Sequence, residues 1–335
     1  MLNKIQAPSS KFTFSALLVS SLLLTACGGS SSSNNNAGTP QGAGTDYSGK
    51  TSAATELPST EEGKTELVNA IAQVLKVKNM PLYRAYEFGD DIAEYEVTCT
   101  EGSTDYKAKT EEDFDANETY VEVVKADVSF NQCTGKLGYS STVKTFNGKL
   151  HFNADETKTS ATYAYAFNNL SIQDSEGIST NSTYLFDGQY IQKYVLNKAG
   201  NIDATQSWNF KIGYTDPSGT IDFATKGQQT YEADFEEEEN LTELKYQGSF
   251  TLTSKTYQLT YTATSIGFDN TNNKDVKFYH PELGYYALDI SSMSGKFCTK
   301  DGKAYSGLGG NVLIKDNTGA NLLDITLGCE APTFQ

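Results

Sequence analysis

Nucleophilic catalysis by serine or cysteine needs a base, usually a histidine held in place by a third group, and this chain has only His151 and His280 to offer. His151 falls on the polar side of the alternating run Phe146–Phe152, and His280 stands before Pro281 in a turn-like stretch, so both are expected as solvated surface residues. There is no Gly-x-Ser-x-Gly elbow, no phosphate loop and no His-Glu-x-x-His. The 42 acids could supply a carboxylate pair for glycoside hydrolysis, but only a fold sets such separations. The run Glu232–Glu239 has the charge to collect calcium, yet consecutive carboxylates of an extended chain seldom converge on one ion, and a solvated edge is expected. In the calcium-loop-like stretch Asp269–Asp275, Lys274 stands where a glycine is needed and His280 where a glutamate is needed. No catalytic, cofactor-binding or metal-binding residue is assigned. Tyr285-Tyr286, among 21 tyrosines, could form a sugar-stacking platform, but tyrosines here share strand faces with leucine and phenylalanine, so core packing is expected.

One cysteine stands apart. Lys4 and Lys11 flank the start of an apolar run from Phe12 to Leu24, too short to cross a bilayer as a helix, and the run closes on Leu24-Thr25-Ala26-Cys27. This stretch resembles the lipobox of bacterial lipoproteins. The resemblance implies a signal peptide over residues 1–26, a diacylated and N-acylated Cys27, and a membrane as partner through the lipid anchor. In lipoproteins similar to this one an aspartate after the cysteine often marks inner-membrane retention; Gly28 stands there instead, which implies the outer membrane. The resemblance covers Met1 to about Ala54 only.

With Cys27 lipidated, Cys99, Cys133, Cys298 and Cys329 remain. An even number in an exported chain reads as a disulfide framework, and four cysteines allow three pairings. Neighbours, Cys99 with Cys133 and Cys298 with Cys329, are favoured because each loop is short enough to be closed by adjacent antiparallel strands. No spacing matches a zinc site. The formal charge of −16 grows more negative once the two leader lysines are removed, and Arg84 is the only arginine. Such a chain repels phosphate backbones, so nucleic acid is not expected as a partner.

The elements that would position these residues follow from composition and period. Residues 27–58, rich in glycine, serine, asparagine and threonine, are expected to form a lipidated tether, with a composition too polar to repay the entropy of ordering. Ser59 with Glu62 offers a capping box for a helix carrying Leu67, Val68, Ile71, Val74 and Leu75 at helical spacing, stopped by Asn79 and Pro81. From Leu82 the period falls to two. Tyr95, Val97 and Cys99 share one strand face, and Val124, Ala126, Val128 and Phe130 another. Glycine lies between aromatics in Phe146–Phe152 and Tyr246–Leu252, and more loosely in Phe186–Tyr190 and Met293–Phe297, an arrangement that lets a strand bend or accept a ring above the gap. Residues 142–174 and 244–270 share internal spacing and a switch of apolar phase, which suggests a duplicated hairpin unit with a β-bulge. Asp216–Gly219, Asp301-Gly302 and Asn317–Gly319 are turn signals. The expected fold is all-β, an antiparallel meander forming a barrel or sandwich and preceded by one amphipathic α-helix, with no second helix. The expected function is a lipid-anchored, non-catalytic binding or display module of the cell envelope with an envelope or host protein or glycan as ligand. The alternatives are a structural or assembly accessory of an envelope complex and a polysaccharide-acting hydrolase.

Overall fold

The computed structural model describes residues 43–79, 81–94, 97–114, 120–137, 143–157, 159–174, 182–233, 241–265 and 271–335. Cys27 and its leader lie outside them, as do Tyr95, Asp234–Glu239 and Asp269-Asn270. Two helices, α1 (Glu61–Asn79) and α2 (Pro81–Glu94), precede the strands β1 (Thr98–Phe114), β2 (Tyr120–Lys136), β3 (Val143–Glu156), β4 (Ser160–Asp174), β5 (Thr183–Leu196), β6 (Ile202–Asp216), β7 (Gly219–Ala233) and β8 (Leu241–Leu252). They are followed by β9 (Lys255–Ser265), β10 (Thr271–His280), β11 (Gly284–Asp289), β12 (Ser294–Lys300), β13 (Lys303–Lys315), β14 (Asn321–Leu327) and β15 (Thr333–Phe334). Each strand pairs antiparallel with the next from β1 to β11. β13 then pairs with β11 and leads to β14 and β15, while β12 lies off this path on β13. Among the described residues no pairing joins β1 to the last strands, so the meander is an open sheet.

Local sequence explains the connections. Pro217-Ser218 links the paired ends Asp216 and Gly219, and Asp301-Gly302 links Lys300 to Lys303 with φ of 51° and 74°, the left-handed pair that a two-residue hairpin requires. In β4 the phase switch expected from sequence is a bulge. The register slips between Phe167 and Leu170, with Asn169 at φ 46°, and this keeps Phe167, Leu170 and Ile172 all buried. The opposing Gly148 has φ 109°, and a β-carbon there would stand 2.2 Å from the Asn169 carbonyl oxygen. Gly248, its counterpart in the second unit, pairs without any slip, and Ile266 and Phe268 lie outside the described residues. Gly227 shows the other use of a strand glycine: a β-carbon would meet the Trp208 ring at 2.6 Å.

Two helices, not one, cover the inner face. Pro81 starts α2 where it was expected to stop α1, because a first-turn proline gives up no helical hydrogen bond. Leu82, Ala85, Phe88 and Ile92 then recur every three or four residues, and all are buried. The aromatic content of this segment imitates a strand; its spacing is helical. The cap of α1 also sits one residue later than expected. Thr60 Oγ1 accepts from Gly63 N at 3.1 Å, which leaves a glycine where a capping box needs glutamate. Leu67, Val68, Ile71, Val74 and Leu75 are buried in one apolar cluster with α2 and with strands from β2 to β14.

Residues 43–57, expected from composition to belong to the tether, lie against the sheet. Backbone pairing does what side-chain apolarity cannot. Tyr285 N donates to Ser52 O, and Ala54 N donates to Tyr285 O, so the segment occupies the edge of β11 ahead of its pairing with β13 at Ala287. Earlier in the segment Lys50 N donates to Pro281 O, Tyr47 OH to His280 O, and Gly44 N to Asn209 Oδ1. His280 is not the solvated residue expected: it is 4% exposed, and its Nδ1 accepts from Glu282 N and Leu283 N. Burial holds its pKa below the usual value. His151 is exposed, 2.8 Å from Asp127.

Both expected cysteine pairs are at disulfide distance. Cys99 and Cys133 lie on adjacent strands, but Cys298 of β12 reaches Cys329 in the tail beyond β14, two strands away. Closing loops of 34 and 31 residues removes roughly 4 kcal/mol of unfolded-chain entropy each. Phe297, expected on the apolar side of β12, is 56% exposed, because Cys298 takes the buried side.

Asp216 ties α1 to this framework. Burial opposes its charge, but the Ser218 hydroxyl, which donates to it, and Lys76, with Nζ 3.0 Å from Oδ2, outweigh that and hold the carboxyl below 3.8. A carboxyl held low stabilises the fold above the ordinary carboxylate value and loses that contribution as pH falls through the lower folded value. Asp216→Asn is expected to cost about 1–3 kcal/mol at pH 7 in chemical denaturation and to flatten the loss of stability below pH 4.

Candidate functional site

Strand parity places the aromatic residues, and helix length decides which of them are covered. The inner side of β5 reads Tyr184, Phe186, Tyr190, Gln192 and Tyr194. Phe88 of α2 packs on Tyr184 and Phe186 at ring separations of 5.6 and 6.3 Å, and Tyr86 meets Tyr190 at 5.6 Å. Beyond Tyr190 the row turns polar. Gln192, Gln206, Gln229, Tyr246 and Tyr261 stand in register across β5 to β9 on the inner face. In the next row Tyr194 and Tyr231 stand either side of Ala204, whose small side chain leaves space between them.

This row is only partly satisfied within itself. Tyr194 OH donates to Gln192 Oε1 at 2.9 Å, and Gln229 Nε2 donates to Gln206 Oε1. Two buried polar atoms, Gln192 Nε2 and Tyr246 OH, have no hydrogen-bond partner in the structure. The Tyr190 hydroxyl feels the Gln192 amide, but not in a geometry that counts as a hydrogen bond. The residues carrying these atoms are 2% and 4% exposed, and leaving such groups unpaired costs about 1–3 kcal/mol each. Gln206, Gln229, Tyr194 and Tyr231 are half-buried and lead from solvent to them. The result is an inner-face patch of amides and phenols whose half-buried members border the two unpaired atoms.

Its electrostatics are nearly neutral. Burial raises the pKa of Tyr190, Tyr231, Tyr246 and Tyr261, so their hydroxyls stay protonated at physiological pH and both donate and accept. Trp208 stacks on Tyr246 at 5.3 Å and Tyr246 on Tyr261 at 4.6 Å. Gly248 makes room for this pile, since a β-carbon there would lie 2.6 Å from Tyr246 OH. Lys78, in the last turn of α1, places Nζ 4.8 Å over the Tyr261 ring, and burial pushes its pKa down to about 8. At the sheet end beside the patch the acids are held by neutral donors: Tyr163 OH donates to Glu156, and Asn201 Nδ2 to Glu232.

The outer face carries a second hollow of about 490 Å³, lined by amides of β5 to β9 and by Asp46 and Tyr47. The 43–57 segment crosses it, with Ser249 Oγ donating to Thr45 O. Tyr285-Tyr286 forms no free platform. Tyr286 is buried and donates to Glu56 O, while Tyr285 packs on Tyr279, which in turn takes Tyr47. Cys99, Cys133, Cys298 and Cys329 are structural and remote from the patch in strand order. Among the described residues no three His, Cys, Asp or Glu side chains group to hold a metal ion. Sequence reasoning passed over Gln192, Gln206 and Gln229. Their signal was available: each stands two residues from an aromatic or alanine on the buried phase of its strand, where a polar residue is the informative departure.

The low pKa of Lys78 has a stability consequence. A lysine held low in the folded state stays penalised below about pH 8, and the penalty lifts as pH rises towards 10.5. Lys78→Met is expected to be more stable than the parent by roughly 1–3 kcal/mol at pH 7, with the gap narrowing by pH 9.5 in urea titrations. The comparison stays below pH 10, because tyrosines with raised pKa lose their own contribution above it. Comparison with family models, with curated proteins and with solved structures finds no match to this chain.

Proposed function

We propose that this chain is a lipid-anchored lipoprotein of the bacterial outer membrane whose β domain is a non-catalytic binding module. The anchor rests on Leu24-Thr25-Ala26-Cys27 and its short apolar leader. The binding reading rests on one observation, the inner-face row of glutamine and tyrosine in which buried Gln192 and Tyr246 each keep an unpaired polar atom.

The sheet curls into an open trough, a barrel left unclosed. The path without β12 laid flat would span roughly 62 Å, whereas α1 and α2 measure only about 28 and 21 Å. Yet inner-face residues from β2 to β14 share one apolar cluster with both helices, and curvature is the simplest way to bring them together.

Mass spectrometry of the native protein tests the anchor. The expected mature chain begins at a triacylated Cys27, and Cys27→Ala is expected to leave the membrane fraction. An intact leader or an unmodified Cys27 thiol contradicts the placement.

A further inference from the structure

We infer that the inner-face patch binds an uncharged, polyhydroxylated ligand, a sugar or short glycan. This deepens the binding reading and rests on it. The first argument is the kind of polar group present. Beyond the bonds made within the row, Gln192 and Gln206 keep an amide donor and Gln229 an amide acceptor, which together suit hydroxyls that both give and take hydrogen bonds. None of the three is charged, and the in-register row sets them one strand spacing apart, about 4.8 Å, a separation on the scale of a pyranose ring's opposed hydroxyls.

The second argument is the unpaired atoms. Gln192 Nε2 lies next to two internally paired amides, so the row ends in an open donor, and Tyr246 OH adds a second polar group that needs a partner. Buried groups left this way imply a bound water or a ligand hydroxyl. The third argument is apolar: Tyr194 and Tyr231, half-buried either side of Ala204, give aromatic carbon surface against which a sugar's C–H face packs.

Charge selects against the competing ligand classes. The chain's net charge of −16, with Glu156 and Glu232 at the sheet end beside the patch, opposes an anionic ligand. A cationic ligand would find the aromatic faces already under the Lys78 ammonium.

Trp208 is the only tryptophan in the chain and is stacked on Tyr246 one row below the polar row, so its emission reports changes next to the proposed site. The experiment titrates the full-length mature protein with neutral oligosaccharides of glucose, galactose and N-acetylglucosamine, and separately with inorganic phosphate. A saturable change with at least one neutral saccharide is expected, weakened about tenfold in Gln192→Leu and in the half-buried, milder variant Gln229→Leu, but within about threefold of the parent in Lys78→Met. Far-ultraviolet circular dichroism confirms that each variant is folded. A response to phosphate alone, lost in Lys78→Met, overturns the sugar class and leaves a binding module standing. No response to any probe, in emission or in isothermal titration calorimetry, overturns both.

Discussion

A broad antiparallel sheet has one face to bury, and among the described residues two helices, α1 and α2, are there to bury it. The rest of the structure depends on that packing. Where α1 and α2 pack, the inner face is built of phenylalanine, tyrosine, leucine and isoleucine, and burial there stabilises the fold at about 25 cal/mol per Å² of apolar surface removed from water. Past Tyr190 the same inward phase admits glutamine beside tyrosine, with half-buried Gln206, Gln229, Tyr194 and Tyr231 bordering the buried Gln192. The boundary between apolar core and polar row runs through β5 between Tyr190 and Gln192.

The same packing is fastened at the sheet's ends. Asp216, in the β6–β7 hairpin, takes the Lys76 ammonium of α1, and Lys255, beside the β8–β9 turn, takes Glu66, so α1 is fastened towards both of its ends. The 43–57 segment is held by backbone bonds to Pro281 and Tyr285 and by side-chain bonds such as Tyr47 OH to His280 O and Lys226 to Asp46. Gly284, at φ 101°, is obligatory there, because a β-carbon would stand 2.2 Å from Ser52 O.

Much of this was legible from residues alone, and the misses share a cause. Period-two runs such as Trp208, Phe210, Ile212 and Tyr214 placed strands and their buried face, because alternation is local. The turns at Asp216–Gly219 and Asp301-Gly302 were legible for the same reason, and so was the bulge in β4. What failed needed partners distant in sequence. His280 is buried on the inner phase of β10 against the Tyr257 ring of β9, and the 43–57 stretch is ordered by the edge of β11. The second helix fails differently: Pro81 serves as a beginning as well as an end, and Leu82, Ala85, Phe88 and Ile92 follow helical spacing and not the period of two expected from Leu82. The candidate site was hidden because glutamine in a strand reads as solvated until its phase is checked against its neighbours.

The central claim is that solvent or a ligand reaches buried polar atoms past the half-buried members of the polar row. A crystal structure fine enough to place ordered water tests it most directly. Density bonded to Gln192 Nε2 and Tyr246 OH, continuous with solvent past Gln206 and Gln229, is the result expected. Protein groups satisfying both atoms in a row closed to water would contradict it.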